Sequence, residues 1–283
     1  MSVTATHLRR NRGRLAFTYS LVVVENIFEL MYPLAIGLSV DGLLDDNWDG
    51  VVVLVVISLA HVAVSGGRQV FDTRSFNQLY TDLASDLVEQ QRGDGVVTSS
   101  VVARTALAGE YVEFLEREVV NAIAASFAVF GSLLMLFFYD PVVGFAAAAL
   151  AVPVGLVNLR LVRRSRRVYR LINDQTEIEV SVIDRADSAE IRSHFRLLGG
   201  HWNRLSDAEA ASWGIVDVFA VGLVVFALAR VTDVDSEVGA IFATIAYVWS
   251  YTGGFDSVPA VLQRMSNLSD IRRRVDEAST TRD

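Results

Sequence analysis

Residues 133–157 read LLMLFFYDPVVGFAAAALAVPVGLV, and Asp140 is the only charged residue in the run. The Asp-Pro within it divides the run into two helical segments, neither with a polar face. A helix that is apolar all round lies either inside a large core or across a membrane. Comparable apolar blocks occupy residues 15–40, 51–64, 119–138, 142–162, 213–229 and 238–251. The third and fourth are each about 20 residues long, enough for a helix to cross a hydrocarbon core of about 30 Å. The second and sixth are shorter, but helical sequence continues beyond each on one side. With 52% hydrophobic residues and a mean hydropathy of +0.37, the chain is more apolar than a soluble domain of its length. This predicts an all-α membrane protein with six long transmembrane helices rather than a large soluble bundle.

Arginines orient the spans. Arg9, Arg10, Arg12 and Arg14 precede the first; Arg160, Arg163, Arg164, Arg166, Arg167 and Arg170 follow the fourth; Arg272, Arg273 and Arg274 lie near the end. The intervening loops are acidic or very short: DGLLDDNWDG at 41–50, YDP at 139–141 and VTDVDSE at 231–237. By the positive-inside rule both termini are cytoplasmic and the three short loops lie outside, in a plasma or inner membrane with lipid as surroundings. The basic start and first apolar run resemble a signal peptide, but the run is too long and carries Glu25 and Glu29, so it reads as a retained span. Cysteine is absent, which excludes disulfides and thiol chemistry. A net charge of −8 without a basic groove pattern excludes nucleic acid as a partner.

Short loops pair the spans as hairpins. The connections at 67–118 and 162–212 are long and read as helix. Val70, Phe71, Phe76, Leu79, Leu83 and Leu87 have helical spacing in the first, as do Leu171, Ile172, Ile178, Val182 and Ile183 in the second. The spans therefore continue into the cytoplasm as two helical extensions. Turning points are predicted at GDG (93–95) and at Gly199–Gly200, and SDAE at 206–209 matches a capping box. The division is a basic segment at 1–14, a six-helix domain at 15–275 and a short tail at 276–283.

Several stretches carry a family resemblance: ENIFELMYPLAIGLSVDGLL (25–44), ARTALAGEYVEFLERE (103–118), FYDPVVG (138–144), LINDQTEIEV (171–180), RLSDAEAASWG (204–214) and YVWSYTGGFDSVPAVLQRMSNLSDIRRRV (247–275). With the two long intracellular hairpins, they resemble the transmembrane domain of six-helix ABC exporters. More narrowly, they resemble stand-alone members that lack a nucleotide-binding domain. The resemblance implies an exporter-type fold, a two-fold homodimer, and coupling helices at the hairpin tips that rest on ATPase domains. The first tip would be about 99–108, with Ser99, Ser100 and Arg104; the second about 187–196, with Asp187, Ser188, Glu190 and Arg192. The alternative is that both tips are solvated turns. Small residues four apart (Ala124, Ala128 and Ser132 on the third span; Ala147, Ala151 and Gly155 on the fourth) would let long spans pack closely, across a dimer interface or, as the preferred use, within one hairpin. A Walker A loop needs a lysine to reach the nucleotide phosphates, and all 25 basic residues here are arginine. The chain is therefore expected not to be an enzyme and to hold no cofactor. ATP would be hydrolysed by a separate subunit.

Glu25 and Glu29 stand four residues apart in the first span and so lie toward one helix face. A charge at the bilayer centre costs about 2.5–3.5 kcal/mol, so that face should point at the bundle interior or a central cavity. Either the pair binds a cation or a proton, or each is hydrogen-bonded to a neighbour such as His61, Tyr19 or Asn26 and holds helices in register. His61 reads as a packing residue. Asp217 lies in the fifth span. Asp256 follows Gly253 and Gly254, which should loosen the sixth helix, and it lies near Tyr247, Trp249 and Tyr251. An acid among aromatics suits an organic cation; the same aromatics would also serve as interfacial anchors. His194 and His201 lack a partner acid at ligand spacing, so no metal site is expected. The function expected is the permease subunit of an exporter-like ABC transporter. The alternatives are a carrier driven by ions or protons and a membrane protein that binds and regulates a partner.

The orientation has a direct test, because the background is free of thiols. Cysteines replacing Asp46 and Asp235 should react in sealed cells with an impermeant thiol reagent. One replacing Arg166 should react only after permeabilisation.

Overall fold

A computed structural model describes residues 3–93, 98–185, 187–234 and 236–280. It is 95% helix and, among the described residues, contains no strand. A short α1 (Val3–Arg10) leads into α2 (Arg12–Leu44), which returns as α3 (Asp49–Gly93). The next run is α4 (Thr98–Glu113), α5 (Val119–Ser126) and α6 (Ser132–Tyr139), joined end to end by π-helical turns at Phe114–Glu118 and Phe127–Gly131. Then come α7 (Pro141–Glu177), α8 (Glu179–Arg185), α9 (Ser188–Asp233) and α10 (Val238–Thr280). Helices at Arg12–Leu44, Asp49–Gly93, Thr105–Tyr139, Pro141–Asp184 and Ser188–Asp233 are long and apolar enough to cross a membrane.

Local chemistry explains the short turns. Between α2 and α3, Asp46 adopts a left-handed φ of 57°, a conformation that Asp tolerates better than most residues. Asn47 Oδ1 accepts a hydrogen bond from the Asp49 amide at 2.8 Å. At YDP, Asp140 caps α7 by accepting from the amides of Val142 at 2.7 Å and Val143 at 3.2 Å. Pro141 supplies the first helical residue, where a missing N–H costs nothing. The same carboxylate accepts from Arg230 Nε at 3.1 Å, which ties this turn to the end of α9.

The main core lies where α6, α7, α9 and α10 meet. Leu136, Val143, Ala147, Val154, Ala227, Tyr247 and Tyr251 are all buried there. A second cluster covers the long hairpin, with Phe76, Leu79, Leu83 and Leu87 of α3 against Ala108, Tyr111 and Val112 of α4. The outward faces remain apolar: Phe130, Leu134, Phe138, Phe145 and Val218 are exposed. Water would penalise such a surface, and lipid suits it.

Three sequence expectations are corrected. The second long hairpin does not turn at Gly199–Gly200. Both glycines lie inside an unbroken α9, which tolerates them at about 1 kcal/mol each. The chain turns earlier, between Glu177 and Ser188, where Asp187 caps α9 by accepting from the Ala189 amide at 2.9 Å. SDAE at 206–209 is therefore mid-helix and caps nothing. Gly253–Gly254 does not interrupt α10 either. A Cβ at Gly254 would meet Val129 Cγ2 at 2.7 Å and Ala128 Cβ at 3.0 Å, so this glycine lets α10 press against the second π turn. Ala128 thereby packs against α10, and a Cβ at Gly155 would meet nothing within 4 Å. GDG at 93–95 falls partly outside the described residues; α3 ends at Gly93.

The tightest approach joins α2 to α10. A Cβ on Gly37 would lie 2.6 Å from the Gly239 carbonyl oxygen, and one on Gly239 would collide with the Gly37 carbonyl. Asp41 Oδ1 accepts from the Gly239 amide at 2.6 Å beside this contact. Gly239→Ala should therefore destabilise the protein by about 1–3 kcal/mol through overpacking. Gly222→Ala, which meets nothing within 4 Å, should be neutral or stabilising by about 1 kcal/mol. Denaturant or thermal unfolding in detergent reads the difference.

Candidate functional site

The hairpin of α1–α2 against α3 is held by a ladder of polar pairs. His7 Nε2 lies 3.0 Å from Asp86 Oδ2, and Arg10 Nη2 lies 2.5 Å from Asp82 Oδ2. Arg14 donates to Gln78 Oε1. Thr18 Oγ1 donates to Asp72 Oδ1 at 2.8 Å. Glu25 Oε2 meets Arg68 Nε at 2.5 Å, and Tyr32 Oη pairs with His61 Nδ1 at 2.9 Å. Each advance along α2 is matched by a comparable retreat along α3, as two antiparallel helices in fixed register require.

Arg68 is the hub of this ladder. Its Nη1 also binds Asp72 Oδ2 at 2.8 Å. Its side chain is 18% exposed, and that of Glu25 is 11% exposed. The Nε contact is an ion pair whose N–H is not aimed at the oxygen, so its attraction is Coulombic. His61 stacks on Phe28 and places Nε2 3.9 Å from the other Glu25 oxygen. The charge of Glu25 is thus neutralised by the neighbouring helix. Asn26 and Tyr19 are not its partners, which corrects the sequence expectation. Asn26 donates to the Val22 carbonyl at 2.8 Å and Tyr19 to the Leu115 carbonyl at 3.0 Å.

Glu29 has a different environment. Four residues advance a helix by slightly more than one turn, about 40° further round. That rotation carries Glu29 off the α3 seam, where it is exposed. The two glutamates therefore face different surroundings. Glu29 lines a groove of about 580 Å³ between α2, the third helical run and α10, together with Glu118, Asn121, Ser250, Asp256 and Ser257. Its walls are kept low by Ala124, Ala128, Gly253 and Gly254. Glu29, Glu118 and Asp256 bring three carboxylates to its lining, which among the described residues includes no arginine. Asp217 is exposed on α9 and is not among the residues that line the groove. At one end the groove narrows to a recess bounded by Asn26, Pro33, Phe127 and Tyr247. Pro33 has no N–H to give the Glu29 carbonyl, so an acceptor is left beside this recess.

The two π turns shape the groove. A π turn takes in one more residue than an α turn and rotates the side chains that follow. Glu118 closes the first turn and Ala128 sits in the second. Sequence periodicity over 103–139 shows neither. Glu118, in the groove, and Arg68, in the ladder, are the site residues that the sequence reading did not pick out. Arg68 could have been found by pairing α2 and α3 in antiparallel register; Glu118 leaves no such signal.

The aromatic cage expected around Asp256 does not form. Tyr247 is fully buried, and its hydroxyl donates to the Leu30 carbonyl at 2.8 Å. Tyr251 donates to the Ala147 carbonyl at 2.7 Å. Trp249 is 56% exposed, about 160° round the helix from Tyr247 and away from the groove. His194 is buried against Gln175 at 2.7 Å and lies 3.6 Å from Glu179, so it packs a hairpin rather than facing a cavity. Asp187, Ser188, Glu190 and Arg192 are exposed in the first turn of α9, at the hairpin tip. Ser99, Ser100 and Arg104 have helical backbone in α4, but their side chains lie outside the described residues.

Residues 6–239 match the family described as ABC transporter transmembrane region. The chain belongs to that family. The match takes in the whole α2–α3 ladder, both π turns, Glu29 and Glu118, while Asp256 lies beyond it. No curated protein matches the chain. Membership in an ABC transporter transmembrane region, with several apolar helices of spanning length, makes this a multi-pass membrane protein and a transporter membrane subunit.

Removing one partner of a buried ion pair leaves the other uncompensated and typically costs 3–5 kcal/mol. Arg68→Met should therefore lower stability by about that amount, and Glu25→Leu by a similar amount. The double variant should recover much of the loss. Glu29→Gln should stay within about 0.5 kcal/mol of the wild type, as expected of an exposed residue. A double-mutant cycle by thermal unfolding in detergent separates these outcomes.

Proposed function

We propose that the chain is the transmembrane subunit of an exporter-type ABC transporter, acting as a homodimer with a separate ATPase subunit. The observation that carries this reading is the carboxylate-lined groove on a bundle whose outer faces are apolar. A groove holding Glu29 and Asp256 would be costly against lipid, at about 2.5–3.5 kcal/mol for each central charge. A second copy facing it would convert two open grooves into one enclosed polar cavity. α10 supports a sixth span, since it follows α9 through a short loop and buries Tyr247, Val248 and Tyr251 in the core. Both termini would then be cytoplasmic, as the arginine distribution indicates.

The negative lining favours a cationic substrate, drawn in by Glu29, Glu118 and Asp256. Glu25, held by Arg68, takes a structural role in this scheme. The hairpin tips, at the start of α4 and around Asp187 to Arg192, would meet the ATPase subunit and transmit its closure along α3, α7 and α9. ATP binding lies outside the chain, since no lysine is present for a phosphate-cradling loop. A carrier driven by protons is the second reading. It draws on the carboxylates of Glu29 and Asp256, which line the same groove.

Two measurements decide between these readings. The purified chain should hydrolyse no ATP above background, and a tagged copy drawn from native membranes should bring an ATPase subunit with it. Substrate movement abolished by a protonophore, with no ATPase recovered, would support the carrier instead.

A further inference from the structure

α7 carries a feature that neither the groove nor the hairpin tips use. Its lipid-facing side in the apolar half includes Val152, Leu156 and Leu159, all exposed. Continued in steps of three or four residues, the same face becomes Arg160, Arg163, Arg164, Arg167 and Arg170, with Arg166 at its edge. All six arginines are exposed. The opposite side, with Asn158, Leu161, Val162, Ser165 and Val168, is buried against the bundle. Among the described residues, none of the six arginines forms an ion pair. Six like charges within three turns repel one another, so some external charge must favour their being held together.

Depth and direction identify that charge. From Pro141 to Arg160 the helix rises about 29 Å, which matches a hydrocarbon core of about 30 Å. The arginines therefore begin where the headgroup layer begins and extend about 15 Å past it. Side chains on a helix tilt toward its N-terminus. For α7 the N-terminal direction is the bilayer, so the deeper arginines lean back toward the headgroups. The arginines at the start of α2 have the reverse geometry. That helix runs into its span, so Arg12 and Arg14 tilt away from the membrane; Arg14 is engaged by Gln78, and Arg10, at the end of α1, by Asp82.

We propose that the Arg160–Arg170 face of α7 is a docking surface for anionic phospholipid headgroups. A guanidinium fork matches phosphate oxygens two at a time, and the face continues directly from a lipid-facing apolar stripe. Anionic lipid would neutralise the cluster and anchor the fourth helix at its exit from the bilayer. This inference does not depend on what is transported or on what supplies the energy.

The test uses the full chain reconstituted in phosphatidylcholine vesicles doped with nitroxide-labelled phosphatidylglycerol or nitroxide-labelled phosphatidylcholine. The motionally restricted fraction is read by electron paramagnetic resonance. The wild type should restrict phosphatidylglycerol several-fold more than phosphatidylcholine, with the preference shrinking as salt rises. A basic residue near an anionic surface contributes about 1 kcal/mol, or about fivefold. R163Q/R164Q/R167Q should therefore lose at least about fivefold of the preference, while Arg160, Arg166 and Arg170 remain to hold the topology. R163K/R164K/R167K should retain most of it, and R9Q/R12Q should match the wild type. Equal restriction of the two lipids by the wild type would overturn the proposal, as would a preference that survives the glutamine triple. A lysine triple that behaves like the glutamine triple would also overturn it, because charge would not be the cause. If the glutamine triple kept its lipid preference but lost a co-purifying ATPase subunit, the face would belong to that protein and the proposal would fall.

Discussion

Glu25 and Arg68 come from consecutive helices and meet inside an apolar bundle, each where it would be costly alone. Much of the geometry follows from that meeting. The pair sets the register of α2 against α3, and the polar contacts from His7–Asp86 to Tyr32–His61 fall into line on either side of it. Along the long hairpin the cations stand on α1 and α2 and the acids on α3. At Glu25–Arg68 the polarity reverses. A one-turn slip in either direction would set arginine against arginine or glutamate against aspartate at some rung, so the ladder specifies one alignment and penalises its neighbours. With that alignment in place, Glu29 is carried past the seam and into the groove.

The groove itself depends on small residues more than on charged ones. Ala124, Ala128, Gly253 and Gly254 keep its walls low, and the two π turns in the third helical run rotate Glu118 and Ala128 toward it. The acids are then presented from three separate elements, α2, the third run and α10. This arrangement suits the membrane region of an ABC transporter, where a polar path has to be made from helices that are otherwise soluble in lipid.

The helices and their ends were largely legible in the sequence, because apolar blocks of bilayer length and an Asp-Pro turn are local signals. Asp140 capping α7 is such a case. Failures came where a local signal met a tertiary one. Gly199–Gly200 and SDAE have turn and cap chemistry, yet packing carries α9 straight through both. Gly253–Gly254 reads as a loosened helix and is instead a close-packing surface for Val129. The site was legible only in part. Glu29 and Asp256 declare themselves as acids in apolar surroundings, but the separation of Glu25 from Glu29 depends on which neighbour each one meets. The π turns are invisible to periodicity, because a single extra residue per turn does not disturb an apolar pattern. Tyr247 and Tyr251 look like a ligand cage in the sequence, yet they spend their hydroxyls on the Leu30 and Ala147 carbonyls.

Gly37 and Gly239 touch backbone to backbone, with the Asp41 carboxylate bridging to the Gly239 amide. Most helix contacts have side chains between them, whose changes of rotamer absorb small displacements. Here that cushion is missing. A shift of α2 against α10 at this point has nowhere to dissipate except in the backbone itself. The ends of the two helices are thus compelled to travel together, as a stiff fulcrum about which the opposite ends, and the groove between them, can widen or narrow.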